Sequence, residues 1–244
     1  MEENEDLRNR LSRLERAAAR DVERAAAPAW RRHTDGEQRW PSAVAILAMI
    51  GLQAFLPERL SLGPRYALPV VEVVIILVLG FANPGRMKTR VAWTRRLALG
   101  LITVASLGNA WSVVALVLDI VSGRGADSAA ELLASGGNVW LINILTFAVW
   151  YWEFDRGGPV ERALGTDPEP DFLFPQMTTP DMAPKDWEPE FADYLYLAFT
   201  NSTAFSPTDV LPLSRWAKGA MLIQSAISLV TAALVVARAV NALN

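Results

Sequence analysis

Five long apolar blocks dominate the pattern of hydrophobic and polar positions along the chain. An α-helix rises about 1.5 Å per residue, so about 17–25 residues cover a hydrocarbon core of about 30 Å. Backbone N–H and C=O groups at that depth have no water to bond, and a helix satisfies them internally. The sequence therefore predicts an all-α integral membrane protein with five transmembrane helices, at Trp40–Leu56, Tyr66–Ala82, Leu97–Val121, Gly136–Trp152 and Ala217–Val240.

A short polar segment precedes the fifth block. Asp193–Thr203 favours a short amphipathic helix that ends in four consecutive hydroxyl or amide side chains, Thr200–Thr203, and Pro207 interrupts regular structure. Phe191–Phe205 would extend only about 22 Å as a helix, which is short for a complete crossing. We expect a re-entrant half-helix that turns near Thr203–Pro207 and packs beside a helix beginning near Ser214. A sixth complete crossing is the alternative.

The N-terminal region, residues 1–39, is strongly charged. Leu7, Leu11 and Leu14 share one helical face, and an alanine-rich run continues to Pro28. These features predict an amphipathic helix followed by a linker. The helix either gathers protomers as a short coiled coil or lies in solvent or on the membrane surface. Its nine arginines are balanced by nine acidic residues, so nucleic acid is not an expected partner.

Residues 153–190 form the longest loop between predicted membrane segments. The segment is acidic and rich in proline, which disfavours regular helix. We interpret it as a solvated linker or as an acidic vestibule that concentrates cations near a pore. Trp150–Trp152, just before it, are typical of an interfacial aromatic belt, and Glu153, Asp155 and Arg156 are expected to begin the aqueous phase.

These segments predict four regions. They are a charged cytoplasmic helix and linker at 1–39, a four-helix transmembrane region at 40–152, the proline-rich loop at 153–190, and the re-entrant segment with the final helix at 191–244. Lysine and arginine set membrane orientation. With the N-terminus inside, 19 of the 23 Lys and Arg residues lie on the cytoplasmic side. We therefore expect a multi-pass protein with a cytoplasmic N-terminus.

The composition argues against ordinary enzyme chemistry. The chain has no cysteine and a single histidine, His33, so thiolate zinc sites, a Ser-His-Asp triad within the membrane region and multi-histidine metal sites are disfavoured. No glycine-rich phosphate loop is present. We expect no catalytic activity, no cofactor and no metal. A membrane enzyme using Glu72 or Asp119, and a transporter with Glu72 as a proton site, are further alternatives.

Polar residues inside the apolar blocks are candidates for function, because such groups usually face the bundle interior or water. Glu72 interrupts the second block, Asn109 and Asp119 lie in the third, and Asn143 lies in the fourth. The fifth carries Gln224, Ser228 and Thr231. Interhelical hydrogen bonding is the structural alternative for the amides. A functional role is harder to dismiss for the Glu72 carboxylate, since a lone charge is costly there.

Two resemblances rest on the C-terminal part. The order of an aromatic half-helix, a Thr/Ser-rich turn, Asp209, Ser214-Arg215 and a long helix resembles the pore-loop and inner-helix unit of tetrameric cation channels, over roughly Phe191–Val240. The segment after Thr203 lacks the glycines of a potassium filter, so potassium selectivity does not carry over. DYLYLAFTNSTAFSPTDV, and FAVWYWEFDRGGP before it, resemble an uncharacterised family of multi-span bacterial membrane proteins, which implies the bacterial cytoplasmic membrane.

Two functions follow as expectations. The first is a homo-oligomeric pore, tetrameric if it resembles the channels, that passes a small cation or solute across the bilayer. Its candidate lining residues are Thr200, Asn201, Ser202, Thr203, Ser206, Asp209, Gln224, Ser228 and Thr231. The second is a non-conducting scaffold or assembly partner. In that case the polar segment is a plug, and Thr200, Asn201 and Ser202 hydrogen-bond within one protomer to groups such as Asn109, Asn143 or Gln224.

Overall fold

The computed structural model describes residues 28–82, 92–123, 128–166, 169–203 and 209–243, with side chains described to residue 240. The described chain is mostly helical. Its helices are α1 (Trp40–Phe55), α2 (Ala67–Ala82), α3 (Ala92–Val121), α4 (Ala129–Phe154), α5 (Pro159–Leu164), α6 (Pro175–Thr178), α7 (Phe191–Thr203) and α8 (Arg215–Leu243). The predicted N-terminal amphipathic helix lies almost wholly in residues 1–27, outside the described residues. Ser206 and the predicted turn after Thr203 also lie outside them.

Three helices of the described chain are long and apolar enough to cross a membrane: α3, α4 and α8. This confirms the coarse prediction of a helical membrane protein. Each of α1 and α2 has 16 residues and extends about 24 Å, which is below a typical hydrocarbon thickness. The structure therefore supports three crossings by length.

Helix α4 is the centre of the bundle and packs against α1, α3, α7 and α8. It begins earlier than the apolar block because Ser128 caps it. The Ser128 hydroxyl accepts a hydrogen bond from the Glu131 backbone N–H at 3.2 Å, which satisfies a donor that the first turn leaves unpaired. Much of α4 is buried against these four helices, and its contacts fix the positions of their side chains.

The final helix, α8, presents a buried face in which residues recur every three or four positions. This face consists of Ala217, Met221, Gln224, Ser228, Thr231, Val235 and Ala239. Gly136 of α4 allows close approach to it, because a Cβ at Gly136 would lie 2.5 Å from Val235 Cγ2. The opposite face, including Leu222 and Val236, is exposed and apolar.

The proline-rich segment is more ordered than its composition indicates. Pro159 and Pro175 begin α5 and α6, at the first helical turn where a missing N–H costs nothing. Phe172–Leu173 (β1) pairs antiparallel with Leu211–Pro212 (β2). The described part of residues 153–190 therefore combines ordered structure up to α6 with a mostly exposed stretch at residues 178–186, and a two-residue β-ladder interrupts the all-α pattern.

The aromatic cluster at the end of α4 also differs from the expectation. Tyr151 is 0% exposed and Trp152 is 6% exposed, so both rings lie inside the protein and not in a belt around it. Trp150 stacks on Phe154 with ring centroids 4.6 Å apart. Tyr151 packs against Phe172, which shows that the folded loop covers this end of α4.

Candidate functional site

The centre of the polar interior is Gln224 of α8. Its Oε1 accepts hydrogen bonds from the Tyr151 hydroxyl at 2.6 Å and from Asn201 Nδ2 at 2.8 Å. Its Nε2 donates to the Ala198 carbonyl and to Ser202 Oγ, both at 2.8 Å. All four hydrogen-bonding positions of a buried amide are thus filled. Helices α4, α7 and α8 meet at this side chain.

Asn143 of α4 extends the network to a fourth helix. Its Oδ1 accepts from Asn109 Nδ2 of α3 at 3.0 Å. Its Nδ2 donates to Ser228 Oγ at 3.0 Å and to the Gln224 carbonyl at 3.4 Å. Side-chain amides that pair across helices in this way hold transmembrane bundles together. We call these residues the amide network: Asn109, Asn143, Tyr151, Asn201, Ser202, Gln224 and Ser228.

The remaining pore candidates lie apart from the amide network. Thr200 Oγ1 donates to the Tyr196 carbonyl at 2.9 Å, and Thr203 Oγ1 donates to the Thr200 carbonyl at 2.8 Å, so both bond their own helix. Thr231 is buried, and its hydroxyl has no partner among the described residues. Asp209 is exposed. Of the predicted pore-lining residues, the structure therefore brings together Asn201, Ser202, Gln224 and Ser228.

Glu72 of α2 is fully buried at the contact with α1. Its Oε1 accepts a hydrogen bond from Gln53 Nε2 at 3.3 Å. Glu72 Oε2 and Gln53 Oε1 have no partner within the described part of the chain. Sequence reasoning singled out Glu72 but not Gln53. The signal was available, because Gln53 is a polar residue inside the first apolar block.

Asp119 lies at a helix end and not in the bundle interior. Arg59 Nε is 3.1 Å from Asp119 Oδ2, and Arg59 Nη2 is 2.9 Å from Glu131 Oε1. The side chains of Arg59 and Glu131 are more than a third exposed, so water screens these ion pairs. Asp119 therefore lies near the end of α3, as the sequence indicates, in a partly exposed group of ion pairs, and its depth in a membrane stays a prediction.

At the opposite end of α4 the chain turns sharply into α5. Asp155 is buried and accepts hydrogen bonds from the Tyr194 hydroxyl at 2.6 Å and from the Asp171 N–H at 2.9 Å. Arg156 is 1% exposed, adopts a left-handed φ of 53° and donates to the Trp30 carbonyl. Asp155 and Arg156 were expected in water. The structure buries both within the protein: Tyr194 and Asp171 donate to the Asp155 carboxylate, and Arg156 Nη1 donates to the Trp30 carbonyl.

The segment before α1 docks onto this turn through Glu37. The Trp152 indole N–H donates a hydrogen bond to the Glu37 carboxylate, and Arg162 lies within electrostatic reach. Burial raises the pKa of Glu37 from 4.5 to about 7, against the opposing effects of Arg162 and Trp152. Sequence reasoning missed Glu37, Tyr194 and Arg162, because no local pattern links them.

A cavity of about 370 Å³ lies at this same end, between α1, α2, α3 and α4. Its walls are mainly aliphatic, and its charged lining residues are Arg39, Arg95, Glu153 and Glu161. Arg39 and Leu79 both line it, and Arg39 Nη1 donates to the Leu79 carbonyl at 2.6 Å. Its volume is in the range of about 300–1,000 Å³ that is typical of ligand pockets.

No protein-family model, no curated protein and no solved structure matches the chain. The resemblances to channels and to a bacterial membrane family stay predictions.

Proposed function

We propose that the chain is a non-conducting membrane scaffold or assembly partner with five crossings, in which α7 is a re-entrant plug. The observation that carries the proposal is the position of Gln224 and Asn201. Residues that would line a pore wall are instead bonded to one another between helices of a single protomer. A conducting pore needs such groups exposed to water along its axis.

Five crossings require α1 and α2 to cross as well. Both are continuous apolar helices, and their outer faces expose large side chains that suit lipid, such as Leu47, Val74 and Leu77. A helix of about 24 Å can cross when the bilayer thins locally or when flanking residues extend to the interface, at a modest cost. The charge distribution then supports a multi-pass protein with a cytoplasmic N-terminus. The assignment to the bacterial cytoplasmic membrane rests on the sequence resemblance alone.

The plug interpretation of α7 rests on its contacts. Helix α7 has 13 residues, about 20 Å, and packs against α4 and α8. Its polar face is satisfied by Gln224, Ser225 and backbone carbonyls, with Ser225 Oγ 3.0 Å from the Asn201 carbonyl. A short helix with satisfied polar groups can lie at membrane depth without lining water.

Conduction tests the proposal directly. Purified full-length protein is reconstituted in planar bilayers and in liposomes loaded with a cation-sensitive dye, with incorporation measured by protein recovery. We expect no discrete currents and no flux above empty liposomes. Discrete currents that change in Asp209→Asn would overturn the proposal in favour of the channel, since the exposed Asp209 is the acidic pore candidate. Leu222→Ala on the exposed face of α8 is the matched control.

Partner recovery tests the scaffold function. The tagged chain is extracted in native lipid with a maleic-acid copolymer and purified under mild conditions. We expect a second protein at a fixed stoichiometric ratio, retained when the salt concentration is raised. Recovery of the chain alone, from several extractions at native expression level, would contradict a scaffold function.

A further inference from the structure

We propose that Glu72 of α2 binds a proton and forms a reciprocal pair with Gln53 of α1, in which each side chain donates one hydrogen bond to the other. The bound proton then holds α1 against α2. This assigns a proton-binding site to a contact between two helices of one chain. The site does not depend on whether the protein conducts or has a protein partner.

Two buried oxygen atoms in this contact lack a hydrogen-bond donor among the described residues. They are Glu72 Oε2 and Gln53 Oε1, and they belong to the same two groups that share the hydrogen bond from Gln53 Nε2 to Glu72 Oε1 at 3.3 Å. Glu72 is 0% exposed and Gln53 is 6% exposed. A buried acceptor without a donor is costly, so two of them in one pair need a physical explanation.

One proton on Glu72 accounts for both atoms. A protonated carboxyl group has one O–H donor and keeps an oxygen that accepts, and a side-chain amide likewise offers N–H donors and an acceptor. Protonated at Oε2, Glu72 donates to Gln53 Oε1, while its Oε1 continues to accept from Gln53 Nε2. The carboxyl and amide groups then satisfy each other without a third group.

The surroundings of Glu72 also favour the neutral acid. Helix α1 has no charged residue, and Glu72 is the only one in α2. The charged residues of the neighbouring elements are Arg95, Arg96 and Asp119 near the ends of α3, and Glu58, Arg59 and Arg65 between α1 and α2. Within the described chain, none of them interacts electrostatically with Glu72. Such apolar sites keep a carboxylic acid neutral at pH 7, and the neutral acid donates a hydrogen bond.

Neither water nor a metal ion explains the contact as well. A cavity of about 20 Å³ borders Gln53 between the end of α1 and the beginning of α2, and it has room for one water molecule. Glu72 does not line this cavity, so a water there leaves Glu72 Oε2 without a donor. Divalent metal ions take about six or more oxygen ligands. The described residues include no group of three or more side chains of the kind that holds a metal.

Loss of the proton changes the contact between α1 and α2. The carboxylate then places a negative charge between two apolar helices, and Glu72 Oε2 and Gln53 Oε1 are both acceptors with no hydrogen to share. We expect the two helices to move apart or to admit water in this state. Glu72→Gln keeps a neutral side chain of nearly the same shape, with a donor and an acceptor, and should hold the contact at every pH.

Infrared difference spectroscopy of the full-length protein in liposomes tests the proton directly, because the C=O band of a carboxylic acid is separate from the bands of a carboxylate. Wild type, Glu72→Gln and Glu58→Gln are compared at pH 7, since Glu58 is an exposed carboxylate nearby. We expect an acid band in the difference between wild type and Glu72→Gln, and only carboxylate bands in the difference between wild type and Glu58→Gln. Carboxylate bands alone in the first difference would overturn the proposal.

Gln53→Leu tests the partner of the carboxyl group. Leucine removes both amide groups, so we expect the acid band to shift to the higher frequency of a carboxyl with a weaker hydrogen bond. Gln53 has no carboxyl group itself, so this shift assigns the band to its partner even if Glu72→Gln does not fold. Gln38→Leu, which removes an exposed amide before α1, is the control and should leave the band unchanged. An unchanged band in Gln53→Leu would overturn the pair.

Spin labels measure whether the proton holds the two helices together. The chain has no cysteine, so labels attach only at Leu47→Cys of α1 and Val78→Cys of α2, two exposed positions that each lie six residues from the pair. We expect the distance distribution between the labels to broaden or lengthen once the pH is high enough to remove the acid band. The same labels in Glu72→Gln should show no such change.

Three further outcomes would overturn the proposal. An unchanged label distance after loss of the acid band would mean that the proton does not hold α1 against α2. An equal change in Glu72→Gln would place the pH dependence at another group. Loss of the acid band at pH 7 when sodium chloride replaces choline chloride at the same concentration would mean that the site takes a sodium ion and not a proton.

Discussion

Asn201 Nδ2 lies 2.8 Å from Gln224 Oε1, and this hydrogen bond joins the short helix α7 to the long helix α8. Both side chains are buried. In the proposed re-entrant position of α7, lipid tails offer no hydrogen-bonding group, so the two amides need protein partners there. The bond therefore decides how α7 is held, and with it whether the polar face of α7 can reach water.

We predict that Gln224→Leu destabilises the folded protein by about 1–3 kcal/mol, because Tyr151, Asn201 and Ser202 then lose a buried partner. Thermal unfolding in detergent, followed by tryptophan fluorescence, measures the change. Ile223→Ala is the control, since Ile223 is exposed on the other face of α8. An equal loss of stability in Gln224→Leu and Ile223→Ala would mean that the hydrogen bonds of Gln224 do not stabilise the fold more than an exposed side chain does.

A double-mutant cycle measures the interaction energy between Asn201 and Gln224. Asn201→Ala and Gln224→Ala, alone and together, should give a coupling of about 0.5–2 kcal/mol, as for hydrogen-bonded pairs between membrane helices. Strictly additive changes in stability would show that the two amides act separately. The Asn201–Gln224 bond would then not hold α7 against α8 as the plug proposal requires.

Asp119→Asn should cost less than about 1 kcal/mol. Its ion pair with Arg59 is partly exposed, and water and salt screen such pairs. Unfolding temperatures at 50 mM and 500 mM sodium chloride check this, with Glu131→Gln as the matched change on the other partner of Arg59. A large loss that is independent of salt would place Asp119 in the bundle interior.

Some helix ends could be predicted from the ends of the apolar blocks. The first helix begins at Trp40 and the second ends at Ala82, as the pattern indicates. Helices α3 and α4 begin five and seven residues earlier than their blocks, at Ala92 and Ala129. Capping and amphipathic first turns extend a helix beyond its apolar core, and hydropathy alone does not record them.

The candidate site was predictable in its residue types but not in its pairs. Gln224 and Asn143 stood out because amides inside apolar blocks need partners. Their actual partners include Tyr151, which its position among tryptophans assigned to the interface. The buried Arg156 was assigned to water, because arginine is seldom buried unless its N–H groups are satisfied. The Trp30 carbonyl accepts from Arg156 Nη1, and because Trp30 is far away in sequence, only the fold brings the two together.

Gly136 and Gly137 provide a test of the α4–α8 contact. Gly136→Ala should destabilise the protein by about 1–3 kcal/mol, because its Cβ would overlap Val235, whose branched side chain has little freedom to move. No atom lies within 4 Å of a Cβ at Gly137 among the described residues, so Gly137→Ala should be neutral or should gain up to about 1 kcal/mol from helix propensity. Unfolding of both variants under one set of conditions distinguishes these outcomes, and similar stability of the two would contradict the close contact.

Glu37 should make the docking of the segment before α1 dependent on pH. Its pKa is about 7 in the fold against an ordinary 4.5, chiefly because of burial, so the folded protein binds this proton more tightly than the unfolded chain does. The stabilisation is therefore complete below about pH 4.5 and is lost as the pH rises through about 7. The full difference is on the order of 3 kcal/mol, since one pKa unit corresponds to about 1.4 kcal/mol.

Glu37→Gln removes the charge and keeps an oxygen that can accept the Trp152 indole N–H. We expect the wild type to lose stability relative to Glu37→Gln between pH 5 and pH 8, so that the variant is the more stable protein at pH 8. Thermal unfolding across this range measures the difference, and the tryptophan emission maximum reports whether Trp152 is released. Glu58→Gln, which alters an exposed carboxylate, should follow the wild type at every pH. A constant difference between wild type and Glu37→Gln from pH 5 to pH 8 would mean that Glu37 does not change its protonation state there, and that its burial is satisfied by Arg162 alone.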